Sequence, residues 1–412
     1  MAAGDGRFDA AITGLGMVTP AGVGVSPTWE RLCAAEGTCA GLVPELAGAP
    51  VEFGAQVPDF DPVKSIGRRK AWRLDRHNQL ALAAAAEAVA DSGLDPATWD
   101  GARVGVVLGV GLGGAASWET QHRKLLEKGS GSVSPMLIPM LICNMSAGHL
   151  AMEYGAKGPN FVTVTACSSG TTAIGAARDL LRGGLCDVVL TGGAEACMVP
   201  SIAGGFAQMG ALSRHDEDPT AASRPFDVNR DGFVLAEGAA VLVLERVADA
   251  RARGARIRAR VSGYGASADA YNPTAPDPQG AGAELAVRAA LRDAGVGPEA
   301  VDHVNAHGTS TPLNDAAESR LIRRVFPHQP PVTSVKGVLG HTLGAAGAIE
   351  AAAAALTLEH SFIPPTANLT AQDPEIDLDV VHKAGREGPV STVVSNSFGF
   401  GGQNAVLLLT PG

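Results

Sequence analysis

One cysteine and two histidines stand in stretches of this 412-residue chain that are otherwise apolar and rich in glycine. Cys167 lies in Thr165-Ala-Cys167-Ser-Ser-Gly170, His307 in Asn305-Ala-His307-Gly-Thr309-Ser-Thr311-Pro, and His341 in Ser334-Val-Lys336-Gly-Val-Leu-Gly340-His341. The last stretch runs on through glycine and alanine to Glu350, and a further glycine-rich turn, Gly399-Phe400-Gly401-Gly402, follows Asn396-Ser-Phe. A thiol with two imidazoles and a lysine is the set that carries acyl transfer through a thioester. Metal binding is the rival use of cysteine and histidine. These residues show no local ligand spacing and keep a lysine among them, so no metal site is expected. A lone histidine in an apolar run is more often a structural hydrogen-bonder, and a lone intracellular cysteine a small buried hydrophobe. Chemistry requires that all of them meet in space.

The elements around Cys167 can be read directly. Phe161 to Thr165 is β-branched or aromatic and reads as a buried strand. From Ser169 the composition turns helical, with Ile174, Ala177, Leu180 and Leu181 on one face and Gly183-Gly184 as the stop. Cys167 thus falls on a strand-to-helix turn, where unpaired N–H groups and the positive dipole end would lower a thiol pKa and favour the thiolate. The same N–H groups could hold an oxyanion. By itself this stretch leaves nucleophile and buried structural cysteine about level.

In chain order, Ala10 to Thr19 reads as a first strand entering a glycine-rich turn. Its Gly14-x-Gly16 fails as a dinucleotide loop, because position 19 is Thr19 and Pro20 follows. Residues 40–62 read as loop, Asn78 to Ser92 as a helix closed by Gly93, and Arg103 to Gly109 as a buried strand. An insertion over 115–160 carries a helix from Asn144 to Tyr154. A strand from Asp187 to Thr191 ends in Gly192-Gly193-Ala-Glu195, a polar loop covers 213–232, and Ala239 to Glu245 is a strand. The order then repeats. Arg258 to Gly265 echoes the first strand, Glu284 to Ala294 with Gly295 echoes the helix closed by Gly93, and Gly308 follows a strand as Gly109 does. Pro331 to Val335 with the helix from Glu350 to Leu358 echoes the unit around Cys167. Four units in one order indicate duplication. The expected fold is α/β, two related halves at 1–253 and 254–412, each a sheet covered by helices and facing a shared crevice.

Composition narrows the class. The chain is 46% hydrophobic with only 4% aromatic residues, so its core is built from small aliphatic side chains. A net charge of -10 argues against a nucleic-acid or anionic-membrane binder. Six cysteines without a CxxC pair suit reduced thiols, Met1 to Phe8 has no apolar segment, and no uncharged run reaches membrane-spanning length. A soluble, cytoplasmic protein is expected.

The motifs together resemble those of the β-ketoacyl synthases, in the order and spacing of the elongating, Cys-His-His branch of that thiolase-fold family, over essentially the whole chain. The resemblance implies a five-layered αβαβα fold and decarboxylative Claisen condensation without a bound cofactor, the substrates arriving on the phosphopantetheine of an acyl carrier protein. It implies that Cys167 takes the acyl chain and that His307 and His341 bind the malonyl thioester and promote loss of CO₂, supported by Lys336 and Glu350. The backbone N–H groups of Cys167 and Phe400 match the oxyanion hole, with Phe400 also gating. Thr309 and Thr311 match pantetheine contacts, and Leu112 and Met136 the acyl tunnel, Met136 from across a dimer interface. The partner subunit would be identical or a homologous chain-length factor. Gly337 departs from the family's usual serine after the lysine. Between Lys64 and Arg76 six basic residues, Lys64, Arg68, Arg69, Lys70, Arg73 and Arg76, stand against one acid, Asp75. A solvated helix start is the plain account of such a cluster, but the family's carriers are acidic, which implies a docking patch. With no acyltransferase or carrier stretch among these 412 residues, a discrete, type II system is expected, and the Ala/Gly/Arg-rich composition fits a GC-rich bacterium. Polyketide rather than fatty-acid synthesis is the expectation, with a catalytically silent chain-length factor as the alternative of another class.

Overall fold

The computed structural model describes residues 8–412; the sequence reading of Met1 to Arg7 lies outside them. The strands of the first half are β1 (Ala10–Thr19), β2 (Gly22–Val23), β3 (Val104–Gly109), β4 (Asn160–Thr163), β5 (Val188–Glu195) and β6 (Gly238–Arg246). Those of the second are β7 (Ala259–Ala268), β8 (His303–Asn305), β9 (Val332–Thr333), β10 (Phe362–Ile363), β11 (Arg386–Glu387), β12 (Val393–Gly399) and β13 (Gln403–Pro411). Across the main sheet the order is β4-β3-β5-β6-β1-β7-β13-β12-β8-β9, with β2 on β1. The second five strands repeat the first five in mirror order. In each set three neighbours run parallel and two join antiparallel. The halves were expected to hold separate sheets; they are hydrogen-bonded through β1 and β7, but only where Ala10, Ala11 and Ile12 face Val261, Arg260 and Ala259.

Helices fill the layers between and outside the sheets. The Arg76–Ser92 helix packs on β1 and β6 and the Ala281–Ala294 helix on β7 and β13, one on each outer face. The Ser169–Arg182 and Ala346–His360 helices each contact strands of both halves and form the middle layer. Residues Ala346 to Leu358 are all buried, as expected of a helix apolar on every side. This is the five-layered αβαβα arrangement of the thiolase fold.

Gly14 and Gly16, rejected as a nucleotide loop, allow β1 to lie against the Arg76–Ser92 helix: a Cβ on either would run into the carbonyl oxygens of Ala88 and Ala84. Gly263 and Gly265 stand in the same relation to Ala290 and Ala286, so the duplication extends to the packing.

Two expectations need correction. Phe161 to Thr165 is not a buried strand; β4 is an edge strand that pairs only with β3, leaving Phe161 and Val164 exposed. The insertion also contains a helix, Ala115–Lys128, which is largely polar and buries only Ser117. Among the described residues no helix is long and apolar enough to cross a membrane.

Candidate active site

The two middle helices carry the site. Cys167 sits in a short 3₁₀ turn, Ala166–Ser168, entered through Ala166 at φ 50° and leading into the Ser169–Arg182 helix. His341 precedes the matching turn, Leu343–Ala345, which leads into the Ala346–His360 helix with Leu343 at φ 46°. Left-handed backbone at a non-glycine residue is strained and persists only where the surroundings fix it. The helix starts touch: a Cβ on Gly170 would lie 2.7 Å from the Ala348 nitrogen. That crossing brings the two turns together. His307 follows β8, and Phe400 lies in the turn between β12 and β13.

Ligand atoms of Cys167, His307 and His341 all lie within 4.8 Å of one another. The imidazole rings are 5.5 Å apart between centroids and nearly perpendicular, at 82°. Nζ of Lys336 lies 3.3 Å from Nδ1 of His307, donates to the His307 carbonyl oxygen at 2.5 Å and pairs with Glu350. The Leu343 N–H donates to Nδ1 of His341 at 3.3 Å. With donors on both Nδ1 atoms, the hydrogen-bond network assigns each ring proton to Nε2. Burial first, then the Lys336 charge, holds both imidazoles well below the ordinary histidine pKa; His341 adds to the effect at His307. The site therefore offers two neutral N–H donors beside a thiol. Lys336 and Glu350 are each almost wholly buried, and burial pushes the Glu350 carboxyl up while Lys336 pulls it down. The three atoms also have the spacing of a metal site, but the Lys336 ammonium puts positive charge beside His307, where a cation would bind.

The expected low thiol pKa is not found. Burial pushes Cys167 up to about 12, outweighing the opposing pull of Lys336 and of the Phe400 N–H. Desolvation of the thiolate exceeds what the turn's dipoles return. The Phe400 N–H does reach the sulfur, and Gly399 lies beside the Cys167 nitrogen.

These residues floor a pocket of about 430 Å³ that Leu112, Thr309, Thr311 and Phe400 also line. The hydroxyls of Thr309 and Thr311 are 2.9 Å apart. Met136 is half-buried and outside the pocket. Lys64, Arg68, Arg69, Lys70 and Arg73 are exposed, Lys70 pairing with Glu153. Arg76 instead turns inward to Glu237 at 2.6 Å. Gly337 is explained by packing: a Cβ there would lie 2.7 Å from the Ala367 carbonyl oxygen.

Sequence reasoning missed Glu318. Its carboxylate accepts the N–H groups of His307 and Gly308, each at 2.8 Å, and Asn396 Nδ2 at 3.0 Å, so it fixes the turn that carries His307. The available signal was an acid on an apolar helix face, since Ala317, Glu318, Leu321 and Ile322 are buried together. Burial raises its pKa to about 7.

Residues 8–250 match the family model for the β-ketoacyl synthase N-terminal domain and 258–370 that for the C-terminal domain. The chain belongs to the β-ketoacyl synthase family and has the Cys-His-His site of its condensing acyltransferases. A "3-oxoacyl-[acyl-carrier-protein] synthase 2" from Synechocystis sp. is 42% identical over 403 residues, 96% of each chain. Among solved structures, the ishigamide ketosynthase/chain length factor superposes with a TM-score of 0.92 at 36% identity, covering 98% of this chain and 100% of that one. A type II PKS acyl-carrier protein in complex with its ketosynthase bound to the hexaketide gives 0.91 at 32% identity, with the same coverage.

Proposed function

We propose that this chain is an elongating ketosynthase of a type II polyketide system. The two Nε2–H imidazoles gathered beside Cys167 carry the reading. The Cys167 sulfur attacks the thioester of an acyl carrier; the C–S bond to pantetheine breaks, and the thiol proton leaves with the pantetheine sulfur. A malonyl carrier then binds with its thioester oxygen between His307 and His341. Loss of CO₂ leaves an electron pair as an enolate on that oxygen, where neutral N–H donors stabilise it. The enolate carbon attacks the acyl-Cys167 carbonyl, whose oxyanion is held by the N–H groups of Cys167 and Phe400. The tetrahedral intermediate expels Cys167, which takes up a proton, and the β-ketoacyl chain departs on the carrier. Lys336 and Glu350 fix the histidines. Thr309 and Thr311 meet the pantetheine arm, Leu112 walls the acyl side, and Phe400 gates the malonyl side.

Trp118, Ile138, Met152 and Val164 are exposed apolar residues and β4 has an open edge; we assign these features to contact with a second copy or a homologous chain-length factor. Met136 would reach the partner's tunnel across that contact. Lys64, Arg68, Arg69, Lys70 and Arg73 are the proposed carrier-docking patch. The chain divides functionally into 1–253 with the nucleophile and 254–412 with both histidines.

The ketosynthase/chain-length-factor likeness supports the polyketide pathway. The 42% identity to a 3-oxoacyl carrier-protein synthase favours fatty-acid elongation as the second reading. Retention of Cys167 argues against a silent chain-length factor. Incubation with malonyl carrier and a series of acyl carriers, alone and with any co-encoded homologue, read by intact carrier mass, tests all three. Repeated two-carbon extension without keto reduction, dependent on the homologue, is expected. A single extension by the protein alone would favour the fatty-acid role, and neither acylation nor CO₂ release would sink the enzyme.

A further inference from the structure

Glu195, the last residue of β5, is wholly buried and has no part in the chemistry above. Four backbone N–H groups from two distant segments converge on it. Gly111 donates at 2.7 Å, Leu112 at 3.2 Å to both oxygens, Gly113 at 3.2 Å and Gly344 at 3.2 Å. Only an acceptor with two oxygens and no hydrogens satisfies four converging donors. The approach is close enough to exclude side chains: a Cβ on Gly111 would lie 2.5 Å from one Glu195 oxygen, and one on Gly344 2.6 Å from the same atom. Burial raises the carboxyl pKa, and His77 with the N–H groups of Leu112, Gly111 and Gly344 draws it only part of the way back.

The two clamped segments reach the pocket at different points. Leu112 lines it, on the acyl side in the proposed ketosynthase reading. Gly344 directly follows Leu343, whose strained backbone aims its N–H at Nδ1 of His341 and so sets which nitrogen of that ring faces the substrate. We infer that Glu195 is a positioning residue, holding the acyl-side wall at Leu112 and the ring of His341 in one fixed relation through a single carboxylate. The inference rests on the ketosynthase reading. Loss of the clamp should relax both the choice of acyl length and the decarboxylation geometry while leaving Cys167 itself in place.

Glu195→Gln turns a donor toward those N–H groups at nearly unchanged volume. Three measurements compare it with the parent: acylation of Cys167 from acyl carriers of increasing length, CO₂ release from malonyl carrier, and ¹⁵N-histidine NMR. Folded variant should load the shortest acyl group within about twofold of the parent and lose discrimination among longer chains. It should release CO₂ about 10- to 100-fold more slowly, as a displaced catalytic group does, with the His341 nitrogen signals shifted from the Nε2–H pattern. Unchanged length preference and unchanged His341 signals in a folded variant would overturn the inference, as would an equal loss of every activity. Should Glu195→Gln fail to fold, Glu195→Asp keeps the charge and shortens the reach, and amide exchange on the parent reads the clamp directly. The Gly111, Leu112, Gly113 and Gly344 amides should then share one slow rate; Gly344 exchanging apart from the other three would overturn the clamp. A parent protein that neither acylates nor releases CO₂ would overturn the ketosynthase reading, and this inference with it.

Discussion

Nζ of Lys336 lies 3.3 Å from Nδ1 of His307, so that ring accepts on its inner side and presents Nε2–H to the pocket. Burial, Lys336 and His341 keep it neutral well below the ordinary histidine pKa. A base whose folded pKa is depressed stays unprotonated as pH falls through its usual value, here about 6.5. CO₂ release from malonyl carrier by Cys167→Ala protein should therefore show no histidine limb near that pH. Glu318, pushed up to about 7, gains a proton as pH falls through that range and weakens its hold on the His307 turn. A limb near pH 7 that vanishes in Glu318→Gln belongs to Glu318. One near 6.5 that persists in that variant would mean the imidazoles ionise, contrary to the neutral-donor assignment.

The half-reactions should separate. Cys167→Ala should abolish condensation and keep some decarboxylation. His341→Ala should still load acyl groups yet release CO₂ roughly 10²-fold or more slowly, the cost of one oxyanion donor, so acyl-enzyme should accumulate in intact-mass spectra. Failure to load with normal CO₂ release would reverse the roles.

Acylation should map to Cys167 by peptide mass after treatment with an acyl carrier. Cys186 and Cys197, both fully buried, should stay unlabelled. With its thiol pushed up to about 12, Cys167 should react with iodoacetamide about tenfold faster per pH unit, without a plateau below pH 10, because the thiolate is the reacting form. A plateau below about pH 8 would restore the low-pKa thiolate that the strand-to-helix turn suggests.

Reversal of Arg68, Arg69 and Arg73 to Glu should raise KM for carrier-bound substrates about tenfold at low salt, with the difference shrinking as salt screens it. Lys70 is left alone because it pairs with Glu153. Turnover of a small pantetheine thioester should change little. Equal losses on both substrates would make the patch structural.

The sequence by itself determined the kit and its frame. Cys167, His307, Lys336, His341 and Phe400 each sit in a glycine-rich break after an apolar run, and the repeat of strand, helix and glycine stop showed the duplication, because backbone breaks and apolar periods are local properties. What the tertiary structure decided was non-local. It placed β4 at an edge, since exposure depends on which strands remain unpaired, and it turned Arg76 inward to Glu237 out of a predominantly basic stretch. It reversed the expected shift of Cys167, because local dipoles can be read from a turn but the desolvation opposing them depends on everything packed around it. It also gave Glu195 and Glu318 their partners: both carboxylates bind backbone N–H groups, which every residue carries and no side-chain pattern reveals.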